Sequence, residues 1–199
     1  MHPTSSRSPR RLRAGASAVV GGLVLLLVAV GLVAAVTWAR HDGDDDLSTD
    51  LADPCSLVSQ PTLDRLAPGA TKEPSASSGG RSKELSCAVD LTASPDGFRG
   101  DLALDVAVDG GGQYDAAWRK RRCADIGAVP EEAAPGHRSC VVVQPFDGLE
   151  SRIDAYAWVD DAYEVHVAYQ LVEPKDLPAS AEADVRALLA AGLASLPTS

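Results

Sequence analysis

The 199-residue chain contains no asparagine, which excludes N-glycosylation. Lysine is scarce, with Lys72, Lys83, Lys120 and Lys175 its only four representatives. Together with the Ala, Val, Gly and Arg bias, this is the composition expected of a GC-rich bacterial genome. Acidic residues are missing from the first forty positions. All 28 lie beyond Arg40, against 13 Lys and Arg there, so that part of the chain is about 15 units negative. Such a charge argues against nucleic acid and anionic membrane surfaces as general partners. The common catalytic signatures are also missing: no G-x-S-x-G, no H-E-x-x-H, no Walker loop and no Rossmann glycine fingerprint. There is no C-x-x-C, and no histidine sits at a zinc-like offset from a cysteine pair. Neither a metal nor a thiol redox centre is expected, and no cofactor is implied.

What the chain does have is one long uncharged run. Residues 14–39 carry no charged side chain over 26 positions, and Val19 to Val36 is almost wholly Val, Leu, Ala and Gly. A helix of about 20 such residues crosses a hydrocarbon core of ~30 Å. Arg7, Arg10, Arg11 and Arg13 precede it, and Asp42, Asp44, Asp45 and Asp46 follow. The positive-inside rule then places the N-terminus in the cytoplasm and the remainder outside, with Trp38 at the outer interface. A cleaved signal peptide fits less well, because its apolar region is shorter and Val36-Thr37-Trp38-Ala39 makes a poor cleavage site. The expected organisation is a basic tail (1–13), a transmembrane helix (14–39), an acidic linker (40–52) and an extracytoplasmic domain (53–199) on the plasma membrane. Asp42, Asp44, Asp46, Asp50 and Asp53 approach a calcium loop. Leu47 stands where its sharp turn needs Gly, however, and Asp53 where a bidentate Glu belongs.

Cys55, Cys87, Cys123 and Cys140 all fall in the outer part, an even set that reads as two disulfides in an oxidising compartment. Three pairings are open, of which the sequence-local one, Cys55–Cys87 with Cys123–Cys140, is favoured.

Hydropathy periods outline the domain. Ser59 is placed to cap a short helix containing Pro61, Leu63 and Leu66, and residues 70–83 read as a loop. Two strands follow, with Leu85, Cys87, Val89 and Leu91 on one face of the first and Leu102, Leu104, Val106 and Val108 on one face of the second. Residues 113–123 read as a helix with Tyr114, Ala117 and Trp118 on its apolar side, and 124–137 as a loop. A strand over 138–146 precedes a hairpin of 152–160 and 163–172 turning at Asp160-Asp161. Last comes a helix capped by Ser180, with a stripe of Val185, Leu188, Leu189, Leu193 and Leu196 that must cover the sheet. The order α-β-β-α-β-β-β-α predicts an α+β domain with an antiparallel sheet of about five strands.

Asp53, Pro54, Cys55 and Leu57, followed by a short helix, a Ser/Gly loop and Cys87 in the first strand, give the domain a recognisable opening. It resembles a family of actinobacterial cell-envelope lipoproteins of unknown function. The resemblance implies an envelope location, with the membrane helix here in the place of a lipid anchor, and it supplies no catalytic residues.

Three constellations are candidates for function. Glu164 and His166 on one arm of the hairpin share a face with Asp154, Tyr156 and Trp158 on the other, a polar pocket with an aromatic wall. Arg119, Lys120, Arg121 and Arg122 concentrate positive charge that suits an anionic partner, or simply the C-terminal dipole of their helix. Gly110-Gly111-Gly112 precedes a helix, as in anion sites, although such runs usually mark turns. The favoured function is a non-enzymatic module binding another envelope protein or a lipid-like or anionic ligand. The alternative is an envelope-acting hydrolase or transferase using His166 and Glu164 as an acid–base pair.

Overall fold

The computed structural model describes residues 50–92, 94–134 and 137–197, with backbone alone for 132–134. The tail, the uncharged run 14–39 and most of the linker lie outside the described residues. Among those described, no helix is long and apolar enough to cross a membrane.

The folded part starts slightly earlier than expected, since Leu51 is already buried in the core. Asp53 caps a single turn, α1 (Pro54–Leu57), by accepting from the Cys55 N–H at 2.9 Å. Ser59 caps α2 (Gln60–Leu66) by accepting from Thr62 N–H, with Pro61 in the first turn, where a missing N–H costs nothing.

Seven strands follow: β1 (Lys72–Gly79), β2 (Ser82–Asp90), β3 (Arg99–Asp109), β4 (Glu131–Ala134), β5 (His137–Gln144), β6 (Ser151–Val159) and β7 (Tyr163–Glu173). Helix α3 (Ala116–Asp125) lies between β3 and β4, and α4 (Ala181–Ala194) follows β7. The sheet order is β1-β2-β3-β7-β6-β5-β4, antiparallel throughout. Two meanders are thus joined down the middle by the pairing of β3 with β7.

The domain is α+β with an antiparallel sheet, as the periods imply, but with two more strands than expected. Residues 72–79 and 131–134, read as parts of loops, form the two edge strands. β1 is exposed along its whole length, so its Lys-Glu-Pro-Ser-Ala-Ser-Ser-Gly sequence has no buried face to advertise. Helix α3 begins at Ala116, capped by Asp115, rather than at Gln113. Ser180 occupies the N-cap position of α4 without making a capping bond.

One face of the sheet carries the main core. Leu102, Leu104, Val106 and Val108 of β3 and Val165, Val167, Tyr169 and Leu171 of β7 pack beneath α1, α2 and α4. The stripe of α4 supplies Val185, Leu188 and Leu189. At Gly192 this helix lies close on the sheet, since a Cβ there would stand 2.5 Å from Val165 Cγ1. The disulfides pair locally: Cys55 of α1 with Cys87 of β2, and Cys123 of α3 with Cys140 of β5. The first fastens a helix to the core face; the second fastens α3 to the opposite one.

Candidate functional site

Strand alternation sends Asp105, Asp154, Tyr156, Trp158, Glu164 and His166 to the face away from the main core. The register sets them in two rows. One row runs Ser86, Asp105, His166, Tyr156, Cys140 across β2, β3, β7, β6 and β5, and the next runs Glu84, Ala107, Glu164, Trp158, Arg138. Tyr156 is directly opposite His166, and Trp158 directly opposite Glu164, so four of the five hairpin residues marked from the sequence are two cross-strand pairs, while Asp154 is opposite Ala168.

The middle of these rows is covered, while Glu84 and Arg138 at the ends of the second are exposed. Tyr114, Trp118 and Cys123 from the α3 region form a second apolar cluster with Ala107, Cys140, Tyr156 and Trp158. The start of this segment is pinned to the β6–β7 turn: Tyr114 N–H donates to Asp161 O, and Arg119 forms an ion pair with the Asp161 carboxylate. That turn places Asp160 and Asp161 at φ of 52° and 56°, which aspartate tolerates better than most residues. The triple glycine serves a turn as well. Asp109 Oδ2 accepts the Gln113 N–H at 2.8 Å and Asp109 Oδ1 the Ser82 hydroxyl at 2.6 Å, so a carboxylate of the chain closes that turn.

Between α3 and the sheet lies a cavity of about 320 Å³, lined in part by Glu84, Asp105, Tyr114, Arg122, Tyr156 and His166. Gln113, Trp118 and Glu164 complete most of the rest. Trp158 does not line it. That side chain is 1% exposed, and its indole N–H donates to Glu164 Oε2 at 2.6 Å. The same oxygen accepts the Trp118 indole N–H at 3.2 Å, so two tryptophans share one carboxylate.

His166 is held just as firmly. Its ring stacks on Tyr156 with centroids 4.1 Å apart and planes 8° from parallel, and Tyr156 stacks in turn on Trp158. His166 Nδ1 lies 3.0 Å from Asp105 Oδ2, and Nε2 lies 3.6 Å from Asp154 Oδ1 without forming a hydrogen bond. Burial disfavours the imidazolium, but Asp105 and Asp154 outweigh it and raise the histidine above its ordinary value. Asp154 shifts the other way: burial opposes ionisation, yet His166 and Arg152 hold its carboxyl below the usual range. Burial pushes the Tyr114 phenol up to about 12, reinforced by Glu164.

The basic tetrad does not stay together. Arg119 is tied to Asp161 and to Tyr114 O, Lys120 and Arg121 are exposed, and Arg122 turns into the cavity. Its guanidinium lies 5.3 Å from the Trp118 ring centroid and 5.2 Å from that of Tyr156. Arg122 is thus the member of the tetrad that joins the hairpin residues in one site. Asp105 and Glu84 join it from β3 and β2, and no local sequence signal marked them. The β3–β7 pairing that sets Asp105 against His166 spans about 60 residues of chain. Among the described residues no group of three or more His, Cys, Asp or Glu side chains is arranged to hold a metal ion.

No protein-family model, no curated protein and no solved structure matches this chain.

Proposed function

We propose that residues 53–199 form a ligand-binding module held outside the plasma membrane by residues 14–39, with the cavity beneath α3 as its binding site. The observation that carries this reading is the cavity itself: an open polar space walled by Tyr114, Trp118 and Tyr156 on a face that the main core does not use. Its volume falls at the lower end of the ~300–1,000 Å³ of small-molecule sites. Half a dozen polar and charged side chains in its lining suit a small polar ligand better than a lipid tail.

Binding is favoured over turnover because the two candidate acid–base residues are already engaged by the protein. Glu164 serves two indole donors, and His166 lies between two aspartates. No serine, threonine or cysteine accompanies them in the described lining. The outside location is supported by the arginines before the apolar run, by the two disulfides and by an Asp53-Pro54-Cys55 opening that resembles that of envelope lipoproteins.

Two measurements test the proposal. Protease added to intact cells should remove a C-terminal tag; a protected tag places the domain inside and refutes the topology. Ligand-observed NMR of the full chain with neutral, cationic and anionic fragments should show binding that His166→Ala or Trp118→Ala weakens. Binding to neither wild type nor variant refutes the site. Turnover of an envelope substrate that His166→Ala abolishes without loss of folding would replace binding by catalysis.

A further inference from the structure

The polar groups of the cavity are unequally satisfied. Glu164 accepts two indole N–H groups, and Asp105 accepts the Ser86 hydroxyl at 2.5 Å besides facing His166 Nδ1. His166 Nε2 is buried and points toward Asp154, so it offers nothing to a ligand. Arg122 is different. Its Nε is buried with no hydrogen-bond partner, and among the described residues no carboxylate stands within the 4.0 Å of an ion pair. Aromatic rings approach the guanidinium, whose remaining binding capacity is its planar edge of N–H donors. The residue as a whole is half-buried and lines the cavity, so the guanidinium is within reach of an acceptor that enters there, and its unpaired Nε makes such an acceptor favourable.

Across the cavity, Glu84 projects from β2, three strands away from the β6 strand that carries Tyr156, and it is exposed. The cavity therefore has a cation on its helix wall and a carboxylate at its sheet-side rim. The acidic surroundings discriminate among anions. Glu84, Asp105 and Glu164 in one lining penalise a dianion such as phosphate, and the outer chain's excess of negative charge opposes any ligand with net negative charge.

We propose that the cavity takes a small zwitterion of the amino-acid or short-peptide class, its carboxylate on the Arg122 guanidinium edge and its ammonium toward Glu84. This rests on the cavity being a ligand site. Such a molecule brings both charges and no net charge, and it gives Arg122 the planar bidentate acceptor that it lacks.

The test is calorimetric titration of the purified full chain with alanyl-alanine, N-acetyl-alanyl-alanine, alanyl-alanine amide and inorganic phosphate. Alanyl-alanine should bind best, the acetylated acid several-fold more weakly, and the amide and phosphate at least tenfold more weakly. Arg122→Ala should weaken alanyl-alanine at least tenfold, with circular dichroism confirming the fold, and Arg122→Lys should fall between. Glu84→Gln should weaken alanyl-alanine but not the acetylated acid, which has no ammonium to lose and one repelling carboxylate fewer to face. An amide that binds as well as the free acid, a phosphate that binds as tightly, or unchanged binding by both Arg122 variants would overturn the ligand class while leaving the cavity as a site. If no probe binds at millimolar concentration and the fragment set fails too, the ligand class and the site fall together. If fragments bind where these probes do not, only the class falls.

Discussion

Replacing Glu164 by alanine is the sharpest probe of how the second face of the sheet is built. The residue is 8% exposed, and its Oε2 accepts from Trp158 Nε1 at 2.6 Å and Trp118 Nε1 at 3.2 Å. Trp158 is 1% exposed, so its indole N–H would lose its protein partner inside the fold, at a cost of about 1–3 kcal/mol. Trp118 is only partly buried and can turn to solvent, which limits its share to about 0.5–1 kcal/mol. Glu164→Ala should therefore destabilise the domain by about 2–4 kcal/mol. Urea unfolding of the full chain measures this, followed by far-UV circular dichroism because the tryptophans are themselves perturbed. A cycle with Trp158→Phe isolates the buried bond, whose coupling should be about 1.5–3 kcal/mol. A coupling below ~0.5 kcal/mol, the ordinary error of additivity, would refute the claim that the carboxylate organises these rings.

The remaining predictions concern the helices and the histidine. Gly192→Ala should destabilise by about 1–3 kcal/mol because its methyl meets Val165, and adding Val165→Ala should recover part of that loss in thermal unfolding. Cys123→Ser with Cys140→Ser should cost about 3 kcal/mol by loop-closure entropy, and acrylamide should then quench Trp118 more readily. His166 binds its proton more tightly when folded than when unfolded. Its contribution is therefore complete below the ordinary imidazole value and disappears as pH rises through the raised folded value. Asp154, held low, contributes above the ordinary carboxylate range and loses that contribution as pH falls through its depressed value. Unfolding free energy plotted against pH should peak between these limits, and His166→Asn should flatten the alkaline side. An unchanged alkaline slope would contradict the His166 geometry.

The parts of the fold legible in the sequence were those in which one face is apolar and the other is not. Leu102, Leu104, Val106 and Val108 alternate cleanly, and the hairpin of β6 and β7 reveals both its faces. β1 and β4 escaped because an edge strand has no such contrast: β1 is exposed on both sides, and β4 is a four-residue piece between Pro130 and Pro135. Half of the site was equally legible, since two residues apart on a strand means the same face. The other half required knowing that α3 folds back over β6. The position of the arginines on their helix does not reveal that Arg119 meets Asp161, or that Arg122 alone reaches Trp118 and Tyr156. Tertiary placement, rather than local charge density, divided that run.

One consequence of the Cys123–Cys140 bond concerns timing. It ties the roof of the cavity to its floor by a link that a thiol-rich compartment will not form or keep. A newly made chain whose cysteines are still reduced carries the same tryptophans and arginines, but the helix above them is fastened by side-chain contacts, the Asp161 ion pair and the Tyr114 N–H bond to Asp161 O, with no covalent link. Oxidation then acts as a maturation step. It leaves the inventory of contacting groups unchanged and holds them together, so the wall that α3 gives the cavity is fixed covalently only once this bond has closed.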